Sequence, residues 1–146
     1  MGQITIISFG YLHGEPPQAH LTLDLRRHFR DPHVSPELRY LTAEDAPVRA
    51  AVMATPGIRD LLAAAVAAVG AYASAPAGDL PVVVATGCAG GRHRAATTAI
   101  ALHAVFSGDL ATARSLGLED LAMKFADCGL TVDLVHRDLA KAVVER

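Results

Sequence analysis

The sequence predicts a single α/β domain, a mainly parallel sheet flanked by helices, with an anion site where one strand, a glycine-rich loop and a helix meet. Three observations point there. The chain opens on a β-branched run, Gln3 to Phe9, that stops at Gly10. A continuous apolar run, Pro81 to Thr86, has the character of a strand buried on both faces of a parallel sheet. Glycines follow it directly, and an alanine-rich helical pattern follows them.

Taken in order, Gln3 to Phe9 is strand one, and His20 to Leu25 alternates as a second strand with Asp24 and Arg26 near its exit. A polar loop punctuated by prolines runs through Asp31-Pro32-His33 and Ser35-Pro36-Glu37. Thr55 reads as a helix N-cap and Pro56 as the first helical residue, with Asp60 in the early turns where the helix dipole favours a carboxylate. That helix extends to about Ser74, and Ala77-Gly78-Asp79 turns the chain into the central strand. Gly87 to Gly91 form the turn, Ala95 to Phe106 the next helix, and Ser107-Gly108 closes it. A helix over Leu118 to Asp127, capped by Gly129, precedes a last strand, Thr131 to Val135.

At 146 residues the chain suits one domain with a sizeable core. Half of it is hydrophobic, much of that alanine, which favours close helix packing over an aromatic interior. The formal charge of −2 supplies no overall attraction for a polyanion, so a nucleic acid would need a local basic patch. Cys88 and Cys128 stand far apart, and no charged segment leading into an apolar one opens the chain, so a cytoplasmic protein is expected. The alanine-rich stretch from Leu61 to Ala77 is shorter than a bilayer span and contains Gly70 and Ser74, so no membrane role is expected.

The segment Gly87-Cys88-Ala89-Gly90-Gly91-Arg92-His93-Arg94 is the candidate site. A strand, a glycine turn and a helix start bring several backbone N–H groups to one point, with the positive end of the helix dipole behind them. Gly90 and Gly91 permit positive φ and close approach, while Arg92, His93 and Arg94 add donors. The bland alternative is a tight turn whose arginines face solvent. Arg94 at the helix start is expected to meet the anion, so that its loss weakens binding with little change in melting temperature. Cys88 and Arg94 also stand at the Cys-x5-Arg spacing that resembles the phosphate loop of protein tyrosine phosphatases, where a thiolate attacks and an arginine clamps the phosphoryl oxygens. Ala95 occupies the place of the assisting serine or threonine, which favours a small apolar role for Cys88 over a nucleophilic one.

Read together, Ser8-Phe9-Gly10-Tyr11, Asp24-Leu25-Arg26, Asp31-Pro32-His33, Pro36-Glu37-Leu38-Arg39, Thr42, Asp45, Pro47-Val48, the 87–94 loop and His136-Arg137 resemble, in order, the C-terminal domain of the RNase adapter protein RapZ family. The resemblance implies an α/β domain spanning 1–146 that binds an amino-sugar phosphate, glucosamine-6-phosphate, and in some members small RNAs, and that self-associates. Full-length members carry an N-terminal P-loop domain. No Gly-x4-Gly-Lys-Ser/Thr occurs here, so neither that domain nor its nucleotide hydrolysis is expected. Asp24, Arg26, His33, His136 and Arg137 would form the sugar or second side of the site.

Three departures stand out. Leu12 takes the place of a lysine, which removes a charge that could serve RNA; Ala89 replaces a threonine, removing one hydroxyl; and the stretch after Arg94 is long, with extra residues around Ser107 to Leu116 that would add a turn or part of a helix. No metal or cofactor is expected, since the histidines lack metal-ligand spacing. The sequence thus favours a binding or regulatory domain for a phosphorylated sugar or nucleotide. The alternatives are an enzyme using Cys88 or a histidine for phosphoryl transfer, and an RNA-binding or protein-adapter role.

Overall fold

In β1 (Gln3–Gly10) the β-branched residues alternate between two environments: Ile4 and Ile6 are buried, Thr5 and Ile7 half-buried. A strand has period two, so this one lays its even-numbered side chains against a covering layer. The computed structural model describes residues 2–145. After β1 come β2 (Leu21–Asp24), α1 (Ala46–Met53), α2 (Ile58–Ser74), β3 (Val82–Cys88), α3 (Arg94–Ser107), α4 (Leu110–Ser115), α5 (Glu119–Ala122) and β4 (Thr131–His136). Short 3-10 turns lie at Tyr11–His13, Pro32–Val34 and Met123–Phe125.

The four strands form one all-parallel sheet in the order β2-β3-β1-β4. Parallel strands require crossovers: helices supply those from β2 to β3 and from β3 to β4, while β1 reaches β2 through residues 11–20 with only a 3-10 turn. The first helix after β3, α3, is the core element: nearly every residue from Arg94 to Phe106 is buried, and it packs on β1, β3 and β4. Its alanines at 95, 96, 99, 101 and 104 are all buried and spread around the helix, so α3 is enclosed on more than one face. Ile6, Val84, Leu62, Ile58, Leu102 and Leu118 join one continuous core under the helices. Burying a side chain of this kind stabilises by roughly 1.5–3 kcal/mol. Among the described residues no single helix is long and apolar enough to cross a membrane.

The strand order contains one reversal of direction. From β1 the chain crosses to β2 on one side, and from β3 it crosses to β4 on the other, so the direction reverses between β1 and β3. At such a switch point the two connections leave a crevice outside the carboxyl ends of the strands. Gly10 and Cys88 are the paired last residues of β1 and β3, at the carboxyl ends of the two strands.

Several boundaries differ from the sequence expectation. Thr55 does not cap α2: its hydroxyl donates to Ala51 O, at the end of α1, and Gly57 holds the cap position at φ +94°. The helix therefore begins at Ile58 rather than Pro56, with Asp60 in its first turn. α1 lies in a stretch to which the sequence reading gave no element. Leu118 to Asp127 is one turn of α-helix followed by a 3-10 turn rather than a single helix, and α4 fills the stretch around Ser107 to Leu116. The central strand runs two residues further than expected, to Cys88, and Val83 is half-buried rather than enclosed on both faces.

Candidate functional site

The 87–94 loop lies at the carboxyl end of β3 and is stitched to three distant segments by backbone hydrogen bonds. Leu25 N–H donates to Gly87 O (2.8 Å), Leu12 N–H to Ala89 O (3.0 Å) and Ala43 N–H to Arg92 O (2.9 Å). Glycine is required where β1 meets this loop. A Cβ on Gly10 would lie 2.4 Å from the carbonyl carbon of Gly90, and Gly91, at φ +79°, would place one 2.8 Å from Gly10 N. Only bare backbone permits this crossing. Within the loop, the N–H groups of Gly91 and Ala95 point at Cys88 Sγ, at 3.3 and 3.4 Å. The Ala95 amide belongs to the first turn of α3, whose donors have no partner inside the helix. Cys88 is buried, with its sulfur at the focus of these amides.

Beside the loop is a narrow cavity of about 20 Å³, lined by Cys88, Gly90, Arg92, His93 and Arg94 and, from the segment after β2, by Asp31, His33 and Arg39. Space of that size holds about one water. Arg94 is 2% exposed. Its Nη1 donates to the carbonyls of Leu25 (2.9 Å), Arg26 (2.9 Å) and Phe29 (3.1 Å), and its Nη2 meets the Asp31 carboxylate at 3.1 Å. Its Nε has no hydrogen-bond partner among the described residues. A buried cation needs such compensation, because removing it from water costs several kcal/mol. Arg94 therefore ties the segment 25–31 to the start of α3, a structural task the sequence expectation of a purely ligand-facing residue did not include.

His93 is buried, and its Nε2 lies 2.8 Å from Leu41 O. A carbonyl only accepts, so Nε2 carries the proton and donates. Burial pushes the His93 pKa down, against the opposing effect of the Leu41 bond, and favours the neutral ring. Arg92 donates through Nη1 to Lys141 O (2.9 Å) and through Nη2 to Tyr40 O (3.0 Å), while its Nε too has no hydrogen-bond partner among the described residues.

Of the other expected residues, His33 lines the cavity, on a 3-10 turn whose N-cap Asp31 accepts from His33 N–H. Asp24 and Arg26 do not line it. They form a two-point ion pair (2.7 and 3.0 Å) at the exit of β2, with the Arg26 guanidinium 3.6 Å from the centre of the Tyr11 ring. The hydrogen bonds from Arg26 are the largest influence on Asp24 and hold its pKa at about 2. His136 and Arg137 lie at the end of β4, outside the cavity lining. His136 Nδ1 is 2.6 Å from Ser8 Oγ, and burial pushes its pKa down.

Sequence reasoning overlooked Asp138. Its fully buried carboxylate accepts from Gly10 N–H (2.7 Å) and pairs with Arg137 (2.8 Å) and Lys141 (2.7 Å). Burial acts to raise its pKa, but the hydrogen bonds from Arg137, Gly10 and Lys141 outweigh it and leave the value at about 2. Asp138 thus anchors the end of β1 beside Gly90 and Gly91. The cations at 137 and 141 flanking an acid just past a strand end were its available signal. Asp31 and Arg39, distant from the loop in sequence, also line the cavity. Among the described residues no three His, Cys, Asp or Glu side chains converge as a metal site.

The chain is similar to proteins named nucleotide-binding protein from Thermobifida fusca (34% identity over 93% of this chain), Frankia alni (35% over 94%) and Thermus thermophilus (37% over 94%). It spans about two fifths of their length, 40%, 41% and 43% respectively. The family model for the RapZ C-terminal domain matches residues 2–116, which include β1, β2, β3, α3 and the whole 87–94 loop. With that match over most of its length, the chain belongs to the RapZ C-terminal domain family.

Proposed function

We propose that this chain binds a phosphorylated small molecule, an amino-sugar phosphate such as glucosamine-6-phosphate or a nucleotide, at the 87–94 loop, and that the binding is regulatory rather than catalytic. One observation carries the reading. At the switch point of the sheet, the buried Arg94 keeps an Nε–H without a partner in the cavity lining, beside loop amides that already converge on Cys88 Sγ. An anion in that place would take up donors that are otherwise expensive to leave unmet. The names of the relatives, which describe nucleotide binding in proteins more than twice as long, agree with a phosphorylated ligand.

Phosphoryl transfer by Cys88 is the second reading, favoured by the two amides aimed at its sulfur. Against it, the Arg94 Nη1 that would clamp a phosphoryl group is occupied by three carbonyls, and the nearby Asp31 is paired with Arg94 Nη2. A thermal-shift screen of sugar phosphates and nucleotides tests the first reading, because a ligand that binds only the folded chain must raise its melting temperature. A stabilising phosphosugar that is recovered intact, with equal affinity for wild type and Cys88→Ser, is the expected result. Turnover that vanishes in the serine variant would establish the second reading instead.

A further inference from the structure

The cavity beside the loop has a third wall. Val143 and Val144, from the segment after β4, line it together with Arg92, His93 and Arg94. From Ala142 to Glu145 this segment forms neither helix nor strand, so no ladder of its own holds it there. What holds it is a short set of contacts across the site. Arg92 Nη1 donates to Lys141 O (2.9 Å), Lys141 Nζ pairs with Asp138 (2.7 Å), and Tyr40 OH donates to Glu145 Oε1 (3.2 Å). Tyr40 O receives the other Arg92 donor at 3.0 Å, so one guanidinium joins both walls. Both valines are half-buried, while Ala142 and Glu145 on either side are exposed.

We propose that residues 141–145 are a strap across the anion site, closed in this structure and displaced by ligand, with Arg92 as its latch. The inference rests on the phosphate reading given above. Its physical basis is size and exchange: with the valines in place the cavity is about 20 Å³, room for about one water and not for a phosphate carrying an organic group. Arg92 gives Nη1 to a neutral backbone carbonyl of the strap, and a phosphate oxygen is a stronger, charge-assisted acceptor for the same N–H. Ligand and strap therefore compete for one donor and one space. The apparent affinity of the full chain is then its open-state affinity reduced by the fraction of molecules with the strap open.

The test uses the full chain, a Val143→Ser/Val144→Ser double variant and, as a milder change, Tyr40→Phe, which removes only the exposed contact to Glu145. Each is titrated calorimetrically with inorganic phosphate and with glucosamine-6-phosphate. Trypsin cleavage after Lys141 is timed with and without the saturating ligand. The expected result is binding about threefold or more tighter in the double variant, a smaller gain in Tyr40→Phe, and faster cleavage at Lys141 when ligand is bound. Equal affinities in all three proteins, or cleavage slowed by ligand, would overturn the strap while leaving the phosphate site standing. Absence of binding by every protein to both probes would overturn the phosphate reading, and the strap with it.

Discussion

Arg94→Ala should destabilise the free protein severely, before any ligand is considered. The substitution removes the donor that serves three backbone carbonyls, of Leu25, Arg26 and Phe29, and strips Asp31 of its cation in a partly buried setting. Breaking a buried ion pair by deleting one partner typically costs about 3–5 kcal/mol, against a total stability of about 5–15 kcal/mol for a domain. For a chain of this size each kcal/mol lowers the melting temperature by about 2–4 °C, so a fall of about 6–20 °C is expected. Arg94→Lys should recover little, since a single ammonium cannot reproduce the planar fork that reaches carbonyls and carboxylate together. Arg26→Ala is the control: its side chain is 39% exposed and its Asp24 partner 45%, so solvent screens the pair and the loss should be small. Urea unfolding followed by circular dichroism at neutral pH compares the three variants with wild type. Should Arg94→Ala lose no more than Arg26→Ala, the bonds to the 25–31 segment contribute nothing net, and Arg94 returns to a purely ligand-facing role.

Two further outcomes follow from the same geometry. Gly10→Ala should fail to fold or lose several kcal/mol, since its Cβ would lie 2.4 Å from the carbonyl carbon of Gly90, whereas Gly90→Ala, with nothing within 4 Å of its Cβ, should melt like wild type and change only phosphate binding; a Gly10→Ala protein of wild-type stability would disprove the backbone crossing. Asp138 has a folded pKa of about 2 against an ordinary 3.8, so its contribution is fully present above pH 3.8 and is lost as pH falls from there towards 2. The shift corresponds to about 2 kcal/mol, and acid unfolding of Asp138→Asn should show a correspondingly flatter decline over that window than wild type; matching profiles would count against the network around Gly10 N.

Elements whose cause lies within a few residues were the legible ones. The β-branched opening run, the apolar run before Gly87 and the alanine pattern after Arg94 each carry a local signal, and β1, β3 and α3 lie within two residues of where that signal points. The start of α2 was misplaced because Thr55-Pro56 has the composition of a cap. Its hydroxyl is instead used by the preceding helix, through Ala51 O, and the chain restarts at Gly57 in a left-handed conformation. α1 was missed for the opposite reason. Eight residues with Pro47 at the second position carry little helical signal alone, and the buried Val48 and Val52 make the helix worth forming by packing into the core.

The site divides along the same line. That three basic residues crowd a strand-to-helix junction is written in consecutive letters, 92 to 94, and so is the convergence of amides that any such junction produces. What each base does depends on acceptors far away in sequence: Leu25, Phe29 and Asp31 for Arg94, Leu41 for His93, Tyr40 and Lys141 for Arg92. Arg92 and Arg94 look equivalent in the sequence, but one precedes α3 and the other is its first residue, and their side chains reach different segments. Arg94 goes to the 25–31 segment, into burial, and becomes part of the scaffold. Arg92 goes to the 40 and 141 segments and stays partly exposed, on acceptors that a phosphate could outcompete. On the proposed strap, Arg94 would supply the rigid frame and Arg92 the contact that a ligand exchanges.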